Sequence, residues 1–240
     1  MPLPRSALLA VWLNAARRGS VGPDDFAEAV RDGDPQHLVV DLTPGTSMPL
    51  VELPATLVRL GCTAVGLALP IAGDLLGLRG PSAFNTLAVD AGEAVLLVGT
   101  GYGLVPTLDA RTVLWQAGPA EPGPPLDRTE EGRQLRQVLV TATAELVRLD
   151  VASWQPEIPD LLMNVRNRPG LPLPPGIDAR AADDLERAVL CLEVVELALR
   201  DQGGAVSAYE IDERRRCLTD LDRTARRVVV AVCSDSLTAS

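Results

Sequence analysis

A loop that ends at the start of a helix carries the side chains best suited to chemistry in this sequence. Residues 73–82 read Gly-Asp-Leu-Leu-Gly-Leu-Arg-Gly-Pro-Ser, between an apolar run and a helical pattern. The pattern places Asp74, Arg79, Ser82 and Asn85 near the N-terminus of that helix, where free N–H groups and a hydroxyl can hold an anion. We therefore predict that an anionic ligand of the N-terminal half would bind at this loop.

A structural role for the same residues is the favoured alternative. Ser82 can cap the helix, Arg79 can pair with Asp74, and the glycines allow tight turns. Position in a loop is by itself a weak indicator of function. The ligand site therefore stands as the second interpretation of this segment.

The stretch around this loop resembles a known family. Residues 67–98, which run from Leu-Ala-Leu-Pro-Ile to Ala-Val-Leu-Leu-Val, are similar to a family of uncharacterised actinobacterial proteins. The resemblance covers a small part of the chain and implies no activity.

The single histidine is a second candidate for chemistry. His37 heads a predicted strand in which Asp41 lies on the same face, because side chains of a strand alternate between its two faces. A His–carboxylate pair is geometrically possible there, and the two residues could serve a site as accessory groups. No serine elbow or second base accompanies them, so a hydrogen-bonded, half-buried histidine is the favoured interpretation.

A glycine-rich motif suggests a nucleotide loop but lacks the required context. Residues 99–103 read Gly-Thr-Gly-Tyr-Gly after an apolar run. Leu104 stands where the third glycine of the dinucleotide motif belongs, and Pro106 interrupts the helix that would carry the phosphates. We predict a glycine-rich turn between two antiparallel strands.

The composition excludes several kinds of catalytic site. All 22 basic side chains are arginine, so a Schiff-base lysine and a phosphate-loop lysine are both impossible. One histidine cannot supply a zinc triad of histidines. The adjacent acids Asp183, Asp184 and Glu186 do not form a metal site either, because successive helix positions point in different directions. We predict no metal and no cofactor.

Charge and cysteine content indicate the compartment and the class of partner. The net charge of −10 argues against nonspecific attraction to nucleic acid or to an anionic membrane. Two arginine clusters near the C-terminus, residues 214–216 and 226–227, have acidic neighbours three and four positions away, which favours a salt-bridged solvent face over a nucleic-acid patch. Four widely spaced cysteines are typical of reduced packing residues. We expect a cytoplasmic protein with no nucleic-acid or membrane partner.

The elements that must position these residues change character along the chain. Apolar runs in the N-terminal half predict a mixed sheet of about five short strands, at residues 37–42, 63–69, 94–98, 102–105 and 112–116. Helical patterns predict four helices around them, at residues 6–18, 23–31, 53–60 and 82–91. The first half therefore has a mixed α/β organisation.

A run of proline and glycine separates this half from the second. Residues 118–125 read Gly-Pro-Ala-Glu-Pro-Gly-Pro-Pro, and helical periodicity dominates after them. Three long helices are predicted, at residues 127–149, 178–202 and 207–233, with a broken segment at 154–168. We predict an α+β protein with a mixed α/β domain, residues 1–120, and a C-terminal three-helix antiparallel bundle, residues 121–240.

The last helix carries a segment that is apolar on all sides. Residues 228–232 read Val-Val-Val-Ala-Val, which requires burial against the N-terminal half or against a second copy of the chain. From this segment we expect a homo-oligomer or a protein partner through the C-terminal helices. The function expected is a binding or assembly module that is not catalytic. The alternative is a small-molecule enzyme or anion-binding protein that uses the loop of residues 73–82.

Overall fold

The computed structural model of the chain describes residues 3–148, 170–200 and 208–234. They divide into two compact units. The α/β unit contains residues 3–127, 172–179 and 230–234, and the helical unit contains residues 128–148, 170–171, 180–200 and 208–229. The broken segment predicted at 154–168 and the last residues of the helix predicted at 178–202 lie outside the described residues.

The predicted helices of the α/β unit are all present. They are α1 (Arg5–Arg17), α2 (Pro23–Arg31), α3 (Leu53–Arg59) and α4 (Ser82–Ala91), and a 3-10 turn at Leu50–Glu52 precedes α3. In α2, Pro23 occupies the first helical position and two aspartates lie in the first turn, as the helix dipole favours. The helix ends at Asp32, which has a left-handed backbone.

The main sheet is mixed and has six strands in the order β2-β1-β7-β6-β5-β3. Its members are β1 (Gln36–Val40), β2 (Ser47–Pro49), β3 (Ala64–Ala68), β5 (Ala94–Val98), β6 (Tyr102–Asp109) and β7 (Thr112–Pro119). β1 and β7 are parallel, and the other neighbours are antiparallel. Two further strands, β4 (Leu78–Gly80) and β8 (Glu121–Pro122), form a separate antiparallel pair. The predicted α+β class is confirmed, with one more strand in the main sheet than expected.

β6 continues beyond the proline at which the predicted strand stops. Pro106 pairs with Trp115 of β7, while the pairing of β6 with β5 ends at Leu104. At Pro106 the strand therefore has a neighbour on one side only. A proline, which cannot donate a backbone hydrogen bond, is tolerated at such a local edge.

The glycine-rich motif is a turn between β5 and β6, as predicted. Gly99 and Gly101 have φ of +91° and +75°, which L side chains rarely adopt. Gly103 serves packing, because a Cβ there would lie 2.5 Å from the ring of Phe84 on α4. Phe84 belongs to the core that buries the sheet, together with residues such as Leu96 and Val105.

The helical unit is built from α5 (Arg128–Arg148), α6 (Ala179–Arg200) and α7 (Ala208–Cys233). α7 runs antiparallel to α5, because Arg227 pairs with Glu131 near one end while Cys217 contacts the carbonyl of Ala142 further along. The short connection to α7 makes α6 antiparallel to it as well, and Arg214 donates to the carbonyl of Ala198.

The apolar segment of α7 is buried within a single chain. Residues 228–233 are all less than 9% exposed. Intrachain packing therefore accounts for these side chains, and the expectation that a second copy covers them loses its basis.

Candidate functional site

The loop predicted to bind a ligand starts in a tight turn and contains a short strand. Its first part is a tight turn in which the N–H of Ile71 donates to the carbonyl of Asp74 at 2.9 Å and the N–H of Asp74 donates back at 3.0 Å. Its last part is strand β4, where Arg79 is exposed. Arg79 forms no ion pair with Asp74 or with any other described residue, so the predicted pairing is wrong.

The helix start after this loop has no side-chain cap. Pro81 occupies the N-cap position, and Ser82 is the first helical residue, so the predicted capping by its hydroxyl is wrong. Asn85 is half-buried, and its Oδ1 atom is buried without a donor among the described residues. No hydrogen bond within the described chain joins Arg79, Ser82 and Asn85 to one another. The four predicted residues lie on consecutive elements, but the structure does not link them into one constellation.

His37 pairs with a different carboxylate from the one predicted. Its Nε2 lies 3.3 Å from Oδ2 of Asp34, and its Nδ1 accepts a hydrogen bond from Nε1 of Trp115 at 3.3 Å. An acceptor at Nδ1 leaves the proton of the neutral ring on Nε2. Burial lowers the pKa of His37, although Asp34 acts in the opposite direction. The ring is therefore held neutral, with both nitrogens engaged.

Asp41 belongs to a turn instead of the face of β1. Its φ of +60° ends the strand, so the alternation that would align it with His37 does not continue. Its carboxylate accepts hydrogen bonds from the N–H of Gly45 and from Nε2 of Gln116, each at 3.0 Å. A short polar side chain stabilises a left-handed turn in this way.

The acidic partners of this region are themselves engaged. Arg5 donates from Nε and Nη2 to the two carboxylate oxygens of Asp34, at 2.8 and 3.2 Å, and this pairing lowers the pKa of Asp34. Glu93 accepts the N–H of Ser6 at 2.6 Å in the first turn of α1, while burial raises the pKa of Glu93. Trp115, His37, Asp34 and Arg5 thus form one continuous polar chain that fixes β1 and β7 to the start of α1.

The four thiols are free cysteines in unreactive surroundings. Burial raises the pKa of every one, to about 11 for Cys191 and about 12 for Cys233. Since the thiolate is the nucleophile, these values make the thiols poor nucleophiles near neutral pH. Their arrangement fits the predicted packing role.

Comparison with family models identifies the chain over nearly its whole length. Residues 6–129 match the model described as "Rv1486c-like protein, N-terminal domain", and residues 129–230 match "Rv1486c-like protein, C-terminal domain". The chain belongs to the Rv1486c-like family. The predicted resemblance to an uncharacterised family is confirmed and extends well beyond residues 67–98. No curated protein and no solved structure matches this Rv1486c-like chain.

The Rv1486c-like chain contains polar residues that sequence reasoning missed. Strand β3 lies at the edge of the sheet. The buried side chain of Asn14 in α1 accepts a hydrogen bond from the N–H of Val65 at 3.0 Å and donates one to the carbonyl of Val65 at 2.8 Å. Ser234 accepts the N–H of Leu67 at 2.9 Å. These two side chains satisfy the open edge of the sheet. The signal for Asn14 was a lone amide in an otherwise apolar helix, whereas nothing in the sequence around Ser234 indicated its role.

In the helical unit, arginines of both clusters pair with acids of the same helix as predicted, but the predicted solvent face is wrong for Arg226, which is buried. Arg216 pairs with Glu213 and Arg226 pairs with Asp222, both at 2.9 Å. Asp184 is buried and accepts from Arg136 at 2.6 Å and from Arg187 at 2.8 Å. None of the described helices combines the length and the apolar character that a membrane crossing needs.

Proposed function

We propose that this chain is a binding or assembly module of the cytoplasm that acts without catalysis. Its only imidazole has both nitrogens engaged by Trp115 and Asp34, so it is not available to take up a proton from a substrate. Four free thiols are consistent with a reducing compartment. These observations favour recognition over reaction.

The turn at residues 70–75 carries the proposal. Ile71 and Leu75 are each 42% exposed, and the turn that presents them is closed by the two backbone hydrogen bonds between Ile71 and Asp74. Side chains on an already ordered turn lose little freedom on binding. Arg79 follows on β4, where it is exposed, and arginine is enriched at protein interfaces. A protein partner fits this surface better than a small anion does.

The test compares proteins captured from the native cell by three baits. The baits are the wild-type chain, the double variant Ile71→Asp/Leu75→Asp and the single variant Leu108→Asp, each immobilised. Leu108→Asp is the matched control, because Leu108 is 62% exposed and lies at the far end of β6. We expect a protein that the wild type and the control retain and that the double variant does not. The purified partner should bind the wild type and the control with similar affinity and the double variant more weakly. Identical capture by all three baits would refute the proposed surface.

Self-association through the C-terminal helices remains part of the proposal, now on a different surface. Since the apolar segment of α7 is buried, the exposed apolar side chains of this unit are Val140 on α5, at 73% exposure, and Leu197 and Leu199 near the end of α6. Light scattering at micromolar concentration should show a dimer that Val140→Glu dissociates and that the neighbouring exposed control Thr141→Glu preserves. A wild-type monomer at all concentrations would refute the homodimer.

Anion binding at the loop of residues 73–82 is the second candidate function. It is supported by the uncapped start of α4 and by the exposed Arg79, which pairs with no acid in the described chain. A helix N-terminus with an adjacent arginine suits phosphate or carboxylate groups.

A further inference from the structure

An open groove lies beside Trp12 in the α/β unit. Its volume is about 560 Å³, and it is lined by Trp12, residues 19–22, Asp25 and Pro175. We call it the Trp12 groove. Trp12 is half-buried, so part of the indole faces the groove while the rest packs on the protein. The groove does not include the turn at residues 70–75. Failure of peptide binding at the groove would therefore not contradict the proposed function.

One wall of the Trp12 groove is a proline-rich segment of the same chain. Residues 171–175 read Leu-Pro-Leu-Pro-Pro. Three residues in this segment precede a proline, which restricts them to extended or polyproline conformations. The indole Nε1–H of Trp12 donates to the carbonyl of Pro172 at 2.8 Å, and Pro174 is buried. Trp12 thus already holds a proline-rich segment through an indole–carbonyl hydrogen bond.

The indole N–H of Trp12 is taken by Pro172, so the remaining surface offers another chain the exposed part of the indole ring and backbone N–H groups. Gly19 and Gly22 carry no side chain, so the floor beside Trp12 is backbone, and a Cβ at Gly19 would meet no atom within 4 Å. The N–H groups of Val21 and Gly22 have no acceptor within the described part of the chain. A polyproline backbone has carbonyl groups without internal partners, and it docks on aromatic-lined grooves at low entropic cost.

Charge selects among proline-rich ligands. Asp25 is exposed and lines the groove, while no arginine does. A basic residue beside the prolines of a ligand would meet this carboxylate, whereas an acidic residue would be repelled.

From these contacts we infer that the Trp12 groove is a docking surface for a proline-rich segment of a partner protein that carries an arginine or lysine beside its prolines. The ligand lies against Trp12 and Pro175, beside the proline-rich segment of residues 171–175, and places its cation at Asp25.

The test uses the full-length chain and labelled peptides with two Pro-x-x-Pro repeats. One peptide ends in arginine, a second ends in glutamate, and a third has alanine at every proline. Fluorescence anisotropy should show saturable binding of the arginine peptide with a Kd below about 1 mM. The Kd of the glutamate peptide should be about tenfold higher, and the alanine peptide should not bind. Failure of the wild type to bind the arginine peptide overturns the inference.

Two variants locate the binding site. Asp25→Asn should reduce the preference for arginine over glutamate to about twofold or less, whereas Asp24→Asn, which changes the adjacent exposed acid outside the groove lining, should keep the preference. Trp12→Leu should abolish binding while circular dichroism stays unchanged. An equal loss of preference in both aspartate variants overturns the inference. Self-association of the wild type that Trp12→Leu removes would overturn it too, since the groove would then hold a second copy.

Discussion

Replacing Gly132 by alanine should destabilise the helical unit, against the ordinary preference of helices. Gly132 lies inside α5, where Gly→Ala normally stabilises by about 1 kcal/mol. Here the added Cβ would lie 3.0 Å from Cγ of Asp184 on α6 and even nearer to its Oδ2 atom. The carboxylate of Asp184 would have to move.

The magnitude follows from what holds Asp184. Its side chain is 8% exposed and accepts from Arg136 at 2.6 Å and from Arg187 at 2.8 Å. Both arginines are more than a third exposed, so we assign about 1 kcal/mol to each hydrogen bond after screening. Losing both, together with about 1 kcal/mol of steric strain, outweighs the gain in helix propensity. The expected net loss is about 2 kcal/mol.

Urea unfolding followed by circular dichroism measures this loss as a lower midpoint at unchanged slope. The exposed Gln134 of α5 provides the control, since Gln134→Ala should change stability by less than about 0.5 kcal/mol. In an Asp184→Ala background the sign should reverse, and Gly132→Ala should stabilise by about 1 kcal/mol. A wild-type chain that Gly132→Ala makes more stable would show that Asp184 does not constrain this position.

Three other predictions follow from the structure. Burial lowers the folded-state pKa of His37, so the stability that this residue contributes is complete above pH 6.5 and declines as the pH falls below that. The wild type should therefore lose more free energy of unfolding between pH 7.5 and 5.5 than the His37→Asn variant does. An equal loss in both proteins would contradict the buried neutral ring. If thermal-shift screening finds a phosphate or carboxylate ligand, Arg79→Ala should reduce its binding free energy by about 1.5–3 kcal/mol. The exposed control Arg111→Ala should leave the affinity unchanged. An unaffected affinity in Arg79→Ala would exclude the loop as the site. Limited proteolysis should cut first near residues 118–126 or within 168–177, and resistance at both would argue against the predicted domain boundary.

Elements whose signal is local could be predicted from the sequence, and those that depend on distant partners could not. The helices and the five longer strands follow from periodicity, breakers and acids in the first turn. β2, β4 and β8 have two or three residues each, with proline or glycine among them, so no alternation can develop. β4 and β8 form only because they pair across some 40 residues of sequence.

The candidate residues show the same division. The pairing of His37 with Asp41 failed because one positive φ ended the strand, and this backbone angle cannot be read from alternation. Asp34, its actual partner, precedes the strand and also binds Arg5 at a sequence distance of 29 residues. Residues 73–82 include strand β4 and lead into α4, and whether their side chains act together depends on tertiary contacts.

The absence of lysine has a structural counterpart in the two units. Arg227 reaches both oxygens of Glu131 through Nε and Nη2, at 2.8 and 2.5 Å, and Glu131 is buried. Arg5 engages Asp34 with the same pair of donors. A lysine has one nitrogen and would leave a carboxylate oxygen without its donor in each pair. Codon bias in a GC-rich genome can supply arginine throughout a chain, but at these positions the planar fork also matches the two acceptors. Glu131 is buried, and a buried carboxylate that loses its partner is costly, so Arg227 is fixed by the fold as well as by the composition.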